Sequence, residues 1–184
     1  MNPLKANFQE LYERHLCRHS QYGINVIHVA AVFGIYLALA GIILSLGCSE
    51  WLLLGIIILH LAMVALNVPG RVLLGNVLFM AGFFAVCLTL PRQPKWVWVS
   101  VYLLAIPLLY KIQAWSHKIY NLERDMTEFN KKYKKGFVLF VLLSIYELPL
   151  LLNYLVFDKN NWPAWVGRPR IETPPAQPGA TPES

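Results

Sequence analysis

"INVIHVAAVFGIYLALAGIILSL", residues 24–46, decides the fold, because these 23 residues hold no formally charged side chain. As a helix the run measures about 35 Å at about 1.5 Å per residue, enough to cross a hydrocarbon core of roughly 30 Å. A cleaved leader uses an apolar run of only about 7–15 residues. The run is therefore expected to stay in place as a transmembrane helix. Its strongly polar residues, Asn25 and His28, stand near its start and three apart, on one helical face.

Further apolar runs follow at 51–66, 72–90, 96–115 and 136–157, separated by turn-forming stretches such as Asn67-Val68-Pro69-Gly70-Arg71 and Pro91-Arg92-Gln93-Pro94-Lys95. The second run is short and is compatible with a tilted or partly re-entrant helix. With 57% hydrophobic and 14% charged residues, the whole composition is that of a membrane protein. The formal net charge of +6 then reads as loop charge rather than as a nucleic-acid surface, and no nucleic-acid partner is expected. Cys17, Cys48 and Cys87 are too scattered for a thiolate site or a disulfide framework.

Before the first span, Asn2-Pro3 reads as a helix start, and Phe8, Leu11, Tyr12, His15, His19 and Tyr22 recur at spacings of three and four. That pattern predicts an amphipathic helix over 3–22, lying on or beside the membrane. Between the fourth and fifth runs Ile119, Leu122, Met126, Phe129 and Tyr133 predict an interfacial helix with a basic end at Lys131, Lys132, Lys134 and Lys135. From residue 158 the chain becomes polar and proline-rich, and 158–184 is expected to be a disordered tail. The expected architecture is an all-α integral membrane protein: a single helical membrane domain over 1–157, with about five transmembrane helices, an N-terminal amphipathic helix and a cytoplasmic interfacial helix.

The basic residues suggest an orientation. With the N-terminus inside, eleven of the sixteen Lys and Arg fall on the cytoplasmic side and five, Arg92, Lys95, Lys159, Arg168 and Arg170, on the other. This predicts a cytoplasmic N-terminus and a C-terminus across the membrane. On that topology all five histidines, His15, His19, His28, His60 and His117, lie at one level near the cytoplasmic face.

Imidazoles gathered at one level, with Asn25 and Gln113 beside them, are candidate ligands for Fe(II), Zn or Mn. Against this, a single intramembrane histidine such as His60 is more often a hydrogen-bonded packing residue, and His15 reads equally well as an interfacial side chain. Glu147 lies inside the last run, where an ionised carboxylate defaults to a functional or paired role. Its competing reading is a structural hydrogen bond, since Pro149 frees a backbone carbonyl one turn earlier.

Two motifs carry a resemblance. "HSQYGINVIH", residues 19–28, and "QAWSH", residues 113–117, resemble segments of the endoplasmic-reticulum 2-hydroxy fatty acid dioxygenase family, which acts in fatty acid α-oxidation. "YELPLLLNYLVF", residues 146–157, is similar to that family's last apolar segment, and the parts run in the same order over residues 12–157. The chain departs from the pattern in the spacing of Asn25 before His28 and of Glu123 after His117, and in lacking an arginine-proline stretch.

The resemblance implies a membrane-embedded, Fe(II)-dependent oxidoreductase, in the endoplasmic reticulum or a bacterial inner membrane, that cleaves the C1–C2 bond of a 2-hydroxy fatty acid or related lipid with O₂. It implies His19, His28 and His117 as iron ligands, with His15 or His60 as a fourth ligand or a support to one. Asn25 and Gln113 would orient imidazoles, with Glu123 and Glu147 nearby, and Arg71 or Arg124 would pair with the substrate carboxylate. Two other classes stay open on the residues alone: a b-type haem electron-transfer protein with two axial imidazoles, and a non-catalytic membrane scaffold. Histidine-box desaturases need more histidines than the five present.

Overall fold

The computed structural model describes residues 6–90, 96–120, 127–133 and 136–159, all helix and turn. The first helix, α1 (Phe8–Arg18), is capped by Asn7, whose side chain accepts from the Glu10 N–H at 3.3 Å. It is shorter at both ends than the periodicity of 3–22 predicts, because the chain breaks at residues 19–21 to turn into the bundle. Asn25 secures that break by donating from Nδ2 to the backbone carbonyls of His19, at 2.6 Å, and Gln21, at 2.8 Å.

The bundle comprises α2 (Tyr22–Ser45), α3 (Glu50–Ala65), α4 (Gly70–Cys87) and α5 (Trp96–Ile119). Gly47, at φ +81°, makes the tight turn from α2 to α3, and the Ser49 hydroxyl caps α3 by accepting from the Trp51 N–H. Of these helices α2, α4 and α5 are long and apolar enough to cross a membrane. The fourth, α3, has 16 residues and measures about 24 Å. Leu59, Leu78, Leu104 and Leu108 are exposed on the outer surface, and Trp51 and Trp96 stand exposed at helix ends. An exterior of this kind needs lipid, not water, as its solvent.

α2 packs against α5 along a row of missing side chains. A Cβ on Gly23 would lie 2.1 Å from the Tyr120 hydroxyl, one on Gly34 2.9 Å from Leu109, and one on Gly41 2.5 Å from the Tyr102 ring. Each step forward along α2 meets an equal step backward along α5, so the notches fix an antiparallel register. Close approach through small residues is how apolar helices associate without a hydrophobic drive between them. The same register sets His28 of α2 beside Gln113 and His117 of α5.

After α6 (Thr127–Lys132), α7 (Phe137–Leu152) continues into a π-helical turn, Asn153–Phe157. By length and composition this segment is a fourth candidate span. Its contacts give a different topology from a crossing that carries the C-terminus to the opposite side. Just before it, Lys132 Nζ and Tyr133 Oη bond Glu10 of α1 at 2.6 and 3.0 Å. Just after it, Asp158 accepts from Tyr12 Oη of α1 at 2.5 Å, and Tyr154 Oη donates to the Ser20 carbonyl at 2.8 Å. Tyr146 accepts from Asn67, at the α3–α4 turn, at 2.7 Å.

A straight crossing would leave flanks about 30 Å apart on opposite faces. Here both flanks are fastened to residues two apart on α1, so the segment enters and leaves on the α1 side. Lys159 thus belongs with the α1-side basic residues rather than across the bundle. Leu139, Leu142, Tyr146, Leu150 and Tyr154 pack toward α1 and the α3–α4 turn, while Leu148, Leu151 and Leu152 pack into the bundle with Val32, Ile57 and Met80. The tail over 160–184 and, of the expected interfacial helix, residues 121–126 and 134–135 lie outside the described residues.

Candidate metal centre

Three helical elements each contribute one imidazole. His19 follows the last turn of α1, His28 lies two turns into α2, and His117 sits in the last turn of α5. Their ring centroids are 4.5 Å (His19–His28), 4.8 Å (His19–His117) and 5.0 Å (His28–His117) apart, and each pair of planes is steeply inclined. One nitrogen from each lies within 4.8 Å of the others. Both His19 nitrogens and His28 Nε2 are buried without a hydrogen-bond partner. Buried polar atoms left unpaired are costly, and three converging imidazoles offer the neutral nitrogen donors that first-row divalent ions take. These residues fit a metal ion. Donors sharing one ion at about 2.0–2.1 Å stand roughly 3 Å apart, so loading contracts the cluster by about 1–2 Å.

Support for the three comes from both sides. On α1, Phe8, Tyr12, His15 and His19 form a ladder of stacked rings, with His15 and His19 4.4 Å apart and 11° from parallel. His15 Nε2 donates to Asn25 Oδ1 at 2.7 Å, which fixes its tautomer and ties α1 to α2. Burial pushes His15 down to about 3 and, with the neighbouring His15 and His28, holds His19 well below the usual imidazole range. Both are therefore neutral and ligand-competent near pH 7.

On the opposite side Gln113 Nε2 donates to Glu147 Oε1 at 3.4 Å, and that oxygen lies 3.6 Å from His28 Nδ1. A carboxylate there favours the proton on Nδ1 and leaves the orphaned Nε2 with its lone pair toward the cluster. Gln113 thus acts on His28 through Glu147, whereas the sequence suggested a direct contact with an imidazole. Asn25 likewise orients His15 and the α1–α2 turn.

The remaining expected site residues lie elsewhere. His60 is on α3, where Asn76 Nδ2 donates to its Nε2 at 3.4 Å, and it lines a separate apolar cavity with Tyr36, Met80 and Phe83. Depth alone suggested it as a ligand, but α3 and α5 flank α2 from different directions. Arg71 stacks its guanidinium 5.8 Å from the Phe157 ring and does not line the imidazole cavity. Glu123 and Arg124 lie outside the described residues.

The three imidazoles face a cavity of about 390 Å³ between α1, α5 and α7. One wall is apolar, from Tyr110, Ala114, Phe140, Leu143 and Leu150, and the other carries Arg14 and Arg18. Tyr110 and Phe140 are exposed at the rim, so the cavity opens sideways on the apolar flank. In the sequence Arg14 and Arg18 count only among the eleven basic residues that set the orientation. The signal that marks them is the doubled Arg-His pair of "RHLCRH", residues 14–19, which repeats at four.

No family model matches the chain, and neither a curated protein nor a solved structure matches it. What fold and site define is a helical membrane bundle with a partly buried cluster of three histidines able to hold a metal ion.

Proposed function

We propose that the protein is a membrane-embedded non-haem iron oxygenase acting on 2-hydroxy fatty acids, with His19, His28 and His117 holding Fe(II) and α1 on the cytoplasmic side. The observation that carries this reading is the placement of three imidazoles, those of His19 and His28 with buried unpaired nitrogens, in a cavity that is apolar along one wall and cationic along the other. Such a cavity suits an amphiphile with an acidic head, and its lateral mouth admits one from the lipid phase.

An iron held by His19, His28 and His117 would supply the Lewis-acidic, redox-active chemistry that O₂ activation needs. Conversion of a 2-hydroxy acid and one O₂ to the acid one carbon shorter, carbon dioxide and water is balanced: the C1–C2 bond breaks, the substrate gives up four electrons and O₂ takes them. No separate reductant is needed. Glu147, held by Gln113, keeps the proton at His28 Nδ1. Phe140, Leu143 and Leu150 keep water from the tail.

A b-type haem is disfavoured by the third imidazole, which stands within 5.0 Å of both others, where a porphyrin between two axial rings would lie. A purely structural role leaves buried imidazole nitrogens unpaired with nothing to offset the cost. Metal analysis of the detergent-purified protein tests the reading. One iron per chain is expected, retained in His60→Ala and lost in His19→Ala, His28→Ala and His117→Ala, with O₂ uptake on adding 2-hydroxyhexadecanoate. Absence of stoichiometric metal, iron retained in His28→Ala, or a Soret band overturns it.

A further inference from the structure

The cavity's two permanent cations have no role in holding a metal. Arg14 and Arg18 are four apart on α1, which sets both guanidiniums on one helical face beside His15 and His19. Among the described residues neither has a carboxylate within ion-pair distance. Glu147 lines the same cavity, but its Oε1 is engaged with Gln113 and turned to His28. Arg14 is half-buried, with its guanidinium carbon 4.4 Å from the Phe129 ring centroid, and its Nε is buried without a hydrogen-bond partner. Burial and the neighbouring Arg18 hold Arg14 down at about 10.

An unpaired buried guanidinium N–H and two like charges on one face each cost energy, and an anion between them relieves both. A carboxylate matches the planar guanidinium fork oxygen for nitrogen. At about 390 Å³ the cavity is near the small end for ligand sites, which favours one acyl chain over a two-chain lipid. We propose that Arg14 and Arg18 clamp the carboxylate of a long-chain fatty acid, whose tail lies along Tyr110, Phe140, Leu143 and Leu150 toward the lipid-facing mouth. The clamp rests on the oxygenase reading for the nature of the head group. It replaces Arg71 as the carboxylate partner.

The test uses full-length, metal-stripped protein in a neutral detergent, titrated calorimetrically with hexadecanoate, hexadecyl phosphate and hexadecanol. Hexadecanoate is expected to bind at least tenfold more tightly than hexadecanol. Arg14→Gln and Arg18→Gln are each expected to weaken hexadecanoate on the order of ten- to a hundred-fold and leave hexadecanol unchanged. Arg14→Lys should recover only part of the loss, because a point charge cannot bond two oxygens in one plane. Gel-filtration profiles verify folding, and Arg18, being exposed, carries the test if Arg14→Gln does not fold.

Equal hexadecanoate affinity in wild type and the Arg14→Gln/Arg18→Gln double variant overturns the clamp. Tighter binding of hexadecyl phosphate than of hexadecanoate overturns the carboxylate assignment and makes the site one for a phosphate head. Arginine-dependent hexadecanoate binding in a protein that never holds iron sustains the clamp and sinks the oxygenase. Iron and turnover without arginine dependence do the reverse.

Discussion

Asn25 Oδ1 lies 2.7 Å from His15 Nε2, and through that contact a residue of the first long helix fixes an imidazole on the helix before it. The same amide donates to the carbonyls of His19 and Gln21, so one side chain closes the α1–α2 turn and aims the ring that stacks on His19. Asn25→Ala leaves these buried groups unpaired and is expected to cost about 1–3 kcal/mol. The melting midpoint in detergent should fall, and adding His15→Ala to that variant should cost less than in the wild type. Additive losses would mean that the two residues do not act as a pair.

Glu147→Gln keeps the side chain's size and its acceptor for Gln113 but removes the charge beside His28 Nδ1. Metal affinity is expected to fall about 10–100-fold, the range for partners that orient a ligating imidazole. Competition against a chromogenic chelator reads it. Unchanged affinity, with the fold intact, removes Glu147 from the support of the site.

The α2–α5 notches predict an overpacking penalty with a specific rescue. A Cβ on Gly41 meets the Tyr102 ring at 2.5 Å, so Gly41→Ala is expected to cost about 1–3 kcal/mol. Tyr102→Ala removes the obstruction, and the double variant should melt above Gly41→Ala alone. If the second change only lowers the midpoint further, the register drawn from the notches is wrong.

Accessibility of introduced cysteines separates the two topologies of the last apolar segment. In a background without Cys17, Cys48 and Cys87, cysteines at Glu13 and at Lys159 should react with a membrane-impermeant maleimide from one side. A cysteine at position 48 alone, in the α2–α3 turn, should react from the other. Opposite sidedness of positions 13 and 159 would restore a full crossing by α7.

Much of the fold is legible in the residues, because long uncharged runs leave no alternative to helices in lipid. The cluster was legible too: the nine-position spacing of His19 and His28 and the late His117 place three rings at one depth. Depth was the limit of that reading. It says nothing of direction around the bundle, which is why His60 shares the level and not the site. The last apolar segment misled for a related reason, since hydropathy counts apolar side chains without asking what covers them. In its best window 56% of residues are buried inside the protein, against 11% for α5, so its apolarity serves contacts with other helices rather than with lipid. Tyr146, Glu147, Pro149 and Tyr154 were the internal signs of that, being groups that hydrocarbon does not accommodate alone.

The pinning of α7 at both ends to α1 bears on how the chain is inserted. Asp158 and Lys159 stand on the side of the bundle that α1 occupies, so neither of these two ionised groups has to be drawn through hydrocarbon. The turn from α2 to α3, Leu46–Ser49, which does have to be delivered to the far face, carries no ionised side chain. The ionised groups that have to reach the far face are then Glu50, at the start of α3, and Arg92 and Lys95 of the α4–α5 connection, and the segment roofing the imidazoles can settle last, from the side on which it already waits.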